Sequence, residues 1–307
     1  MTSHPTAPYY LAFDFGGTKL SAARLAVGET AWQARRRVLS PPGADAAYDI
    51  ATMIRLGREL SSGQRPFAIG VSFGGPVNHQ TGTVYLSHHV PGWTNTPLQA
   101  ILEETFAAPT RVDNDANTAA LGEYHFGAGR GVDSLLYVTV STGVGGGWIL
   151  NGRPWRGHQG LAGEIGHTVA DPAGPQCLCG KRGCVERLAS GPYMAQDLAA
   201  RGIIRQTEPL TGQQVAELAT QGQPDARAIL RRGAWALGIG LGHAANLINP
   251  QRFILGGGVT KSGDLWWDVV RQTAVATALP EFHFDIVAAT LGDDAPLWGA
   301  ISLAHDG

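Results

Sequence analysis

Residues 11–25, LAFDFGGTKLSAARL, and residues 136–150, LYVTVSTGVGGGWIL, follow one plan. Each reads as an apolar strand, a turn holding glycine and threonine, and a second strand. The echo is what a duplicated α/β half leaves in a sequence. Around the first copy, WQARRRVL reads as a third strand and residues 47–62 carry apolar side chains at helical spacing. FAIGVSF (67–73) is a further strand running into GGPV. TPLQAILEETFA reads as a helix, with Thr96 as its cap and Pro97 at its first position. TRVDNDANTAALGEYHFG reads as strand, polar turn and helix. After the second copy come a long apolar helix over 223–249 ended by Pro250, the strand RFILGGGV and a closing helix APLWGAISLA. The alternation predicts α/β architecture in two lobes. The expected boundary is at GAGRGVDS. A smaller N-terminal lobe over 1–129, joined by the C-terminal helix at about 295–307, precedes a larger lobe over 130–294.

The 307 residues are 44% apolar and 16% charged, a globular composition able to bury a core. The net charge of −2 gives no electrostatic footprint for nucleic acid or an anionic membrane surface. Arg35, Arg36 and Arg37 form the one basic run and read as a solvated strand or turn. No secretory signal and no apolar run of membrane-spanning length are present, so a soluble cytoplasmic protein is expected.

Neither a P-loop nor a strand-to-helix G-x-G-x-x-G occurs. Glycine turns at 16–17, 143–147 and 256–258 each follow a strand instead, and small residues let backbone N–H groups approach an anion. Thr18 and Thr142 add hydroxyls at comparable places, and Lys19 adds charge. Taken with the internal echo, the turns point to a nucleotide held between two lobes. Asp14 ends an otherwise apolar strand, where a carboxylate needs a partner. Beside a phosphate site it suits an Mg2+ anchor acting through water.

In VDNDAN (112–117), Asp113 or Asp115 can serve as the base that phosphoryl transfer to an alcohol needs, and Asn114 can hold other hydroxyls. The same residues suit helix capping, a task for Asp113 or Asp115. All three cysteines lie within HTVADPAGPQCLCGKRGC (167–184). His167 with Cys177, Cys179 and Cys184 suits a closed tetrahedral structural zinc site. Glu164 and Glu186 flank that loop, which reads as one wall of a sugar site.

These stretches resemble the ROK family of sugar kinases over about residues 10–305. FDFGGTKL is similar to its first phosphate motif, VDNDANTAALGE to its catalytic motif, VSTGVGGGW to its second phosphate motif and GEIGH with CLCGKRGCVE to its signature. LINPQRFILGGGV resembles the segment near the adenosine. The resemblance implies the two-lobed actin/hexokinase-like (ribonuclease H-like) ATPase fold with a zinc-binding loop, its lobes closing over the substrates. It implies Asp115 as base, and Gly75, Asn114, Asp115, Glu164, His167 and Glu186 around the sugar. It implies Asp14, Gly16, Gly17, Thr18, Lys19, Thr142, Gly143, Gly145 and Gly257 at Mg-ATP, and Zn2+ on His167, Cys177, Cys179 and Cys184. Ser141 stands where the second phosphate motif usually has glycine, Asn249 replaces a common aspartate, and VSFGGPVN places Asn78 where an aspartate is frequent.

The expected activity is ATP-dependent phosphorylation of a hexose, glucose at its 6-hydroxyl first. Mannose, fructose, N-acetylmannosamine and allose are the alternatives, and polyphosphate is an alternative donor. A homodimer or dimer of dimers is expected from the resemblance. A sugar-responsive repressor of the same family would need a DNA-binding segment ahead of the first strand, which begins near residue 9. A sugar-binding protein without catalysis is opposed by the retained Asp115.

Overall fold

The computed structural model describes residues 7–87, 89–202 and 209–305. The chain divides into two compact units, Met1–Arg130 with Pro154–Ala162 and Asp293–Gly307, and Gly131–Arg153 with Gly163–Gly292.

The first unit runs β1 (Tyr9–Phe15), β2 (Lys19–Ala26), β3 (Ala34–Leu39), α1 (Ala46–Ser61), β4 (Ala68–Phe73), β5 (Val77–Asn78), β6 (Thr83–Val84), α2 (Leu98–Phe106), β7 (Thr110–Asn114) and α3 (Asp115–Phe126). Its main sheet has the order β3-β2-β1-β4-β7. β1 pairs antiparallel with β2 and parallel with β4, and β4 pairs parallel with β7. The pleat of β1 explains its unbroken apolar run, since both faces are covered. Leu11, Phe13 and Phe15 join a core with Met53, Leu56, Leu98 and Leu102, contributed by α1 and α2. Tyr10 and Ala12 face Leu297, Ala300 and Ile301 on the opposite side.

The second unit runs β8 (Leu135–Val140), β9 (Val144–Leu150), β10 (Arg153–Trp155), α4 (Val185–Ala189), α5 (Gly191–Ala199), α6 (Gly212–Thr220), α7 (Pro224–Ile248), β11 (Arg252–Gly256), α8 (Asp264–Thr277) and β12 (Asp285–Ala288). Its sheet, β10-β9-β8-β11-β12, repeats the first plan: an antiparallel β8–β9 pair beside parallel β8–β11 and β11–β12 pairs. The internal echo in the sequence is therefore an echo in topology. α9 (Ala295–His305) completes the first unit.

Two local expectations need correction. α2 begins at Leu98, and Pro97 occupies its N-cap position without a side-chain hydrogen bond. Thr96 is instead tied to Val84 by two backbone hydrogen bonds of 2.9 Å each. The amides that a Thr96 cap would hold are donated elsewhere, Leu98 to the Thr96 carbonyl at 2.9 Å and Gln99 to the Gly82 carbonyl at 3.2 Å. The basic run lies on β3 as expected, but Arg35 and Arg37 form ion pairs with Asp294, across a sequence gap that no local pattern reveals.

Glycine brings the elements behind β7 unusually close. A Cβ on Gly299 of α9 would stand 1.6 Å from the Thr118 carbonyl of α3, and one on Gly122 would stand 2.3 Å from the Ala295 carbonyl. Gly70 of β4 meets the Ala300 carbonyl in the same way, at 1.7 Å. Backbone here has no room to yield cheaply. Gly299→Ala is expected to lower unfolding free energy by roughly 3 kcal/mol, read from urea midpoints. An unchanged midpoint would contradict this close approach.

Candidate functional site

In the first unit, the antiparallel β1–β2 pair is closed by Gly16, Gly17 and Thr18. The Gly16 amide donates to the Lys19 carbonyl at 3.0 Å, and a Cβ on Gly17 would stand 3.0 Å from Cβ of His89. Gly17 is thus required by a neighbouring side chain, which the sequence did not indicate. The Lys19 ammonium is 3.0 Å from an Asp293 carboxylate oxygen. The expected phosphate cation therefore has an anionic partner within its own unit, in addition to its place beside the turn.

Asp14 continues the Tyr10–Ala12 series of β1 and is partly buried. The Ser72 hydroxyl, opposite it on β4, donates to Asp14 at 2.9 Å. Burial pushes the Asp14 carboxyl up to about 7; the Ser72 bond opposes the rise, and the nearby Asp115 charge adds to it. An acid held protonated near neutrality, in a strand whose other residues are apolar, fits a position that gains its charge when a cation arrives.

At the junction of β7 and α3 the three polar residues have separate tasks. Asn114 is the N-cap: its Oδ1 accepts from the Ala116 amide at 2.9 Å and the Asn117 amide at 3.4 Å. Capping thus falls to neither aspartate, contrary to expectation. The amide side chain has both an acceptor and a donor, and its Nδ2 donates to the Gly75 carbonyl at 3.1 Å. That places Gly75 against Asn114, and a Cβ on Gly75 would stand 2.8 Å from the Leu86 carbonyl.

Asp113 is buried, and its carboxylate is engaged on both oxygens. Oδ1 accepts from the Asn114 amide at 2.8 Å and from Asn117 Nδ2 at 3.1 Å, while Oδ2 accepts from Arg156 Nε at 2.6 Å. Asp115 begins α3 and is only partly buried. Its Oδ1 accepts from the Ala116 amide at 2.9 Å.

In the second unit, the turn between β8 and β9 is Ser141–Thr142–Gly143. The Ser141 carbonyl accepts from the Gly191 amide at 2.9 Å, and the Ser141 amide donates to the Gly143 carbonyl at 2.9 Å. Ser141 has no positive φ, so a serine in place of glycine meets no backbone strain. Gly143 carries a different requirement: a Cβ there would stand 2.8 Å from Glu186 Oε2. The same oxygen accepts from the Val144 amide at 3.0 Å. Gly145 lies in the β8–β9 ladder opposite Thr139.

Ser141 and Thr142 line a cavity of about 980 Å³ together with Gly191, Gly258, Lys261 and Ser262. Its volume suits a nucleotide-sized ligand. Gly258 lines it, whereas the expected Gly257, at φ 88°, packs against the Val140 carbonyl. The sequence reading missed the walls formed by the start of α5 and by α6. Pro192 in the first turn of α5 and the Thr211–Gln214 capping box of α6 were the available signals.

The zinc-ligand expectation falls on one cluster. One ligand atom from each of His167, Cys177, Cys179 and Cys184 lies within 4.8 Å of all the others. Zn–S bonds of about 2.3 Å put tetrahedral sulfurs on the order of 3.8 Å apart; the Sγ atoms of Cys179 and Cys184 are 3.5 Å apart. His167 Nδ1 is buried without a hydrogen-bond partner. Burial and the neighbouring thiols push Cys184 up to about 12, while the Lys181 backbone hydrogen bond lowers Cys179. Three close sulfurs and an orphaned imidazole nitrogen fit a single cation, and that cation would allow the thiolates to coexist. Glu164 is exposed, next to Gly163 at φ 100° and just before the short helix Ile165–His167. Cys184 is the N-cap of α4, so Glu186 follows the cluster by half a turn.

No helix among the described residues is long and apolar enough to cross a membrane. The model of the ROK family matches residues 10–307, and the chain belongs to that family. It is 36% identical to a glucokinase of Halalkalibacterium halodurans, over 95% of this chain and 93% of the relative. It is 34% identical to an N-acetylmannosamine kinase of Shigella boydii, over 96% and 98%. A ROK family glucokinase from Streptomyces griseus, solved in complex with glucose and AMPPNP, superposes with a TM-score of 0.82 at 33% identity, covering 97% of this chain and 100% of that one. The mixed α/β fold is thereby that of the ROK sugar kinases.

Two measurements test the site. One zinc ion per chain is expected by elemental analysis, and Cys184→Ser protein should lose it; a native protein that folds without metal would contradict the assignment. Asp14 ionises near 3.8 when unfolded and near 7 when folded, so its ionisation costs stability across that interval. Relative to Asp14→Asn, native protein should lose about 1 kcal/mol per pH unit between about pH 5 and 7 without Mg2+. A pH-independent gap would contradict the buried acid.

Proposed function

We propose that this ROK-family chain is an ATP-dependent hexose kinase, with glucose phosphorylated at its 6-hydroxyl. The observation that carries the reading is the division of labour at 113–115. Asp113 is bound on both oxygens and Asn114 caps the helix, while Asp115, whose Oδ1 accepts from the Ala116 amide at 2.9 Å, is only partly buried and is assigned the proton transfer. Asp115 would take the proton of the sugar hydroxyl as its oxygen bonds to the γ-phosphorus. The bond to the β,γ-bridging oxygen breaks, and ADP leaves with the electron pair. General-base positioning of this kind contributes about 10²–10⁴-fold.

The other residues bind and orient. Asn114 keeps an amide beside Asp115 for a neighbouring sugar hydroxyl, and Glu164, His167 and Glu186 are assigned to the remaining hydroxyls. The nucleotide is assigned to the cavity at Ser141–Thr142 and Gly258, with its phosphates on the glycine turns that include Gly16, Gly17 and Thr18. When bound, Mg2+ neutralises charge on the β- and γ-phosphates, and Asp14 is the residue assigned to hold it through water. Zinc is assigned a structural task, ordering the segment that leads into Glu186. The departures bear little on this reading. Asn78 caps its own turn, accepting from the Gln80 amide at 3.0 Å, and Asn249 is the left-handed C-cap of α7 at φ 53°, a conformation asparagine tolerates.

The second reading is an N-acetylmannosamine kinase, favoured by the similarity to that enzyme over nearly the whole chain. A homodimer in the cytoplasm is part of either reading. The test is ADP release with Mg-ATP across glucose, mannose, fructose, N-acetylmannosamine and allose, with Asp115→Asn alongside. Turnover should concentrate on glucose and fall about 1,000-fold in the variant. Preference for N-acetylmannosamine selects the second reading. Absence of hexose-dependent turnover in folded, zinc-loaded protein would contradict both.

A further inference from the structure

We propose that Arg156 is a positioning residue for the phosphoryl-transfer base and acts through Asp113. The inference rests on the reading of Asp115 as that base. Its starting point is a buried carboxylate that holds both ends of the catalytic junction. Asp113 is 2% exposed, and its Oδ1 holds the backbone amide of Asn114 and the side-chain amide of Asn117. Asp115 lies between those two residues in sequence. The last residue of β7 and the first turn of α3 are therefore anchored to one acceptor, and the orientation of Asp115 depends on that acceptor keeping its charge and place.

A buried carboxylate is held ionised at a cost unless it is paired and hydrogen-bonded. Here the pairing is supplied from far along the chain: Arg156 Nε donates to Asp113 Oδ2 at 2.6 Å, and the Arg156 side chain is itself 19% exposed. Arg156 lies in Pro154–Ala162, a segment that begins within β10 and groups with the first unit. Among the described residues, Arg156 is the cation paired with Asp113. His79 interacts with both members of the pair, and burial together with the Arg156 charge holds it below its ordinary value, so it is uncharged at neutral pH. A Cβ on Gly160 would stand 3.6 Å from His79 Nδ1, which shows how closely this segment returns over the β5 turn. Asp14, the other carboxylate near Asp115, carries no contact to Arg156 among its own electrostatic neighbours.

Removing the guanidinium would leave a buried charge without its partner, and the Asp113 carboxylate would turn toward water, breaking the Oδ1 bond to Asn114 or Asn117. The base would then be displaced without loss of any residue that touches substrate. A displacement of about 1 Å at a reacting group can cost about 100-fold in rate. Arg156→Met is accordingly expected to lower kcat by about 100-fold while leaving KM for ATP unchanged, and to speed amide hydrogen exchange at residues 114–117 in ligand-free protein. Arg156→Lys retains the cation and should fall between that variant and native protein. The double variant Asp113→Asn with Arg156→Met replaces the ion pair by neutral side chains. The amide oxygen introduced by Asp113→Asn still accepts, so the double variant should recover most of the lost kcat.

The measurements are kcat and KM for the native protein and these variants, together with exchange at 114–117 and a denaturation midpoint for each. Native turnover with a selective kcat loss in Arg156→Met, recovered in the double variant, supports the inference. A folded Arg156→Met with native kcat overturns it. So does a loss shared by kcat and ATP affinity that the double variant fails to recover. If native protein shows no hexose turnover, the Asp115 reading fails by itself; unchanged exchange at 114–117 in Arg156→Met would separately overturn the positioning role, and faster exchange confined there would sustain it.

Discussion

The carboxylate of Asp113 is the constraint on which the β7–α3 junction depends. Three donors converge on it, one from the backbone at the end of β7, one from the first turn of α3 and one from Arg156. Two acidic residues flank a single position in this turn, and they differ in environment: Asp113 is buried and bound on both oxygens, whereas Asp115 begins α3 and is only partly buried. The cap belongs to Asn114 because an amide can accept from α3 and donate to the Gly75 carbonyl in the same rotamer. An aspartate in that position could do only the first.

The two units use one topology with different surroundings at the turn. Each has an antiparallel strand pair closed by a glycine turn, flanked by parallel strands. In the first unit the turn lies beside a protonatable aspartate and an exposed lysine. In the second it lies against Glu186 and opens on the large cavity. A side chain at these turns would meet different neighbours: His89 at Gly17, the Glu186 carboxylate at Gly143 and, with a left-handed backbone as well, the Val140 carbonyl at Gly257. Glu186 also links the turn to the cysteine loop, because α4 starts at the cluster's last cysteine.

The architecture was legible in the sequence wherever local pattern and tertiary packing agreed. The repeated strand–turn–strand plan, the helix ended before Pro250 and the four-residue metal cluster all followed from spacing. The readings that went astray concern partners distant in sequence. Thr96 looked like a cap, but the Gln99 amide that such a cap would hold donates to the Gly82 carbonyl instead. The choice between Asp113 and Asp115 could not be made from VDNDAN alone, because Arg156 enters from 43 positions away. The cavity walls at α5 and α6 escaped for a related reason: short helix starts carry no sign of which way they face.

The central claim is transfer of a phosphoryl group from nucleotide to a primary sugar hydroxyl under the control of Asp115. Phosphorus NMR of the products formed from Mg-ATP and glucose tests it most directly. The account predicts a 6-phosphomonoester formed in equal amount with ADP by native protein, and none above background with Asp115→Asn. Inorganic phosphate with unmodified sugar, or equal ester formation by the variant, would contradict it.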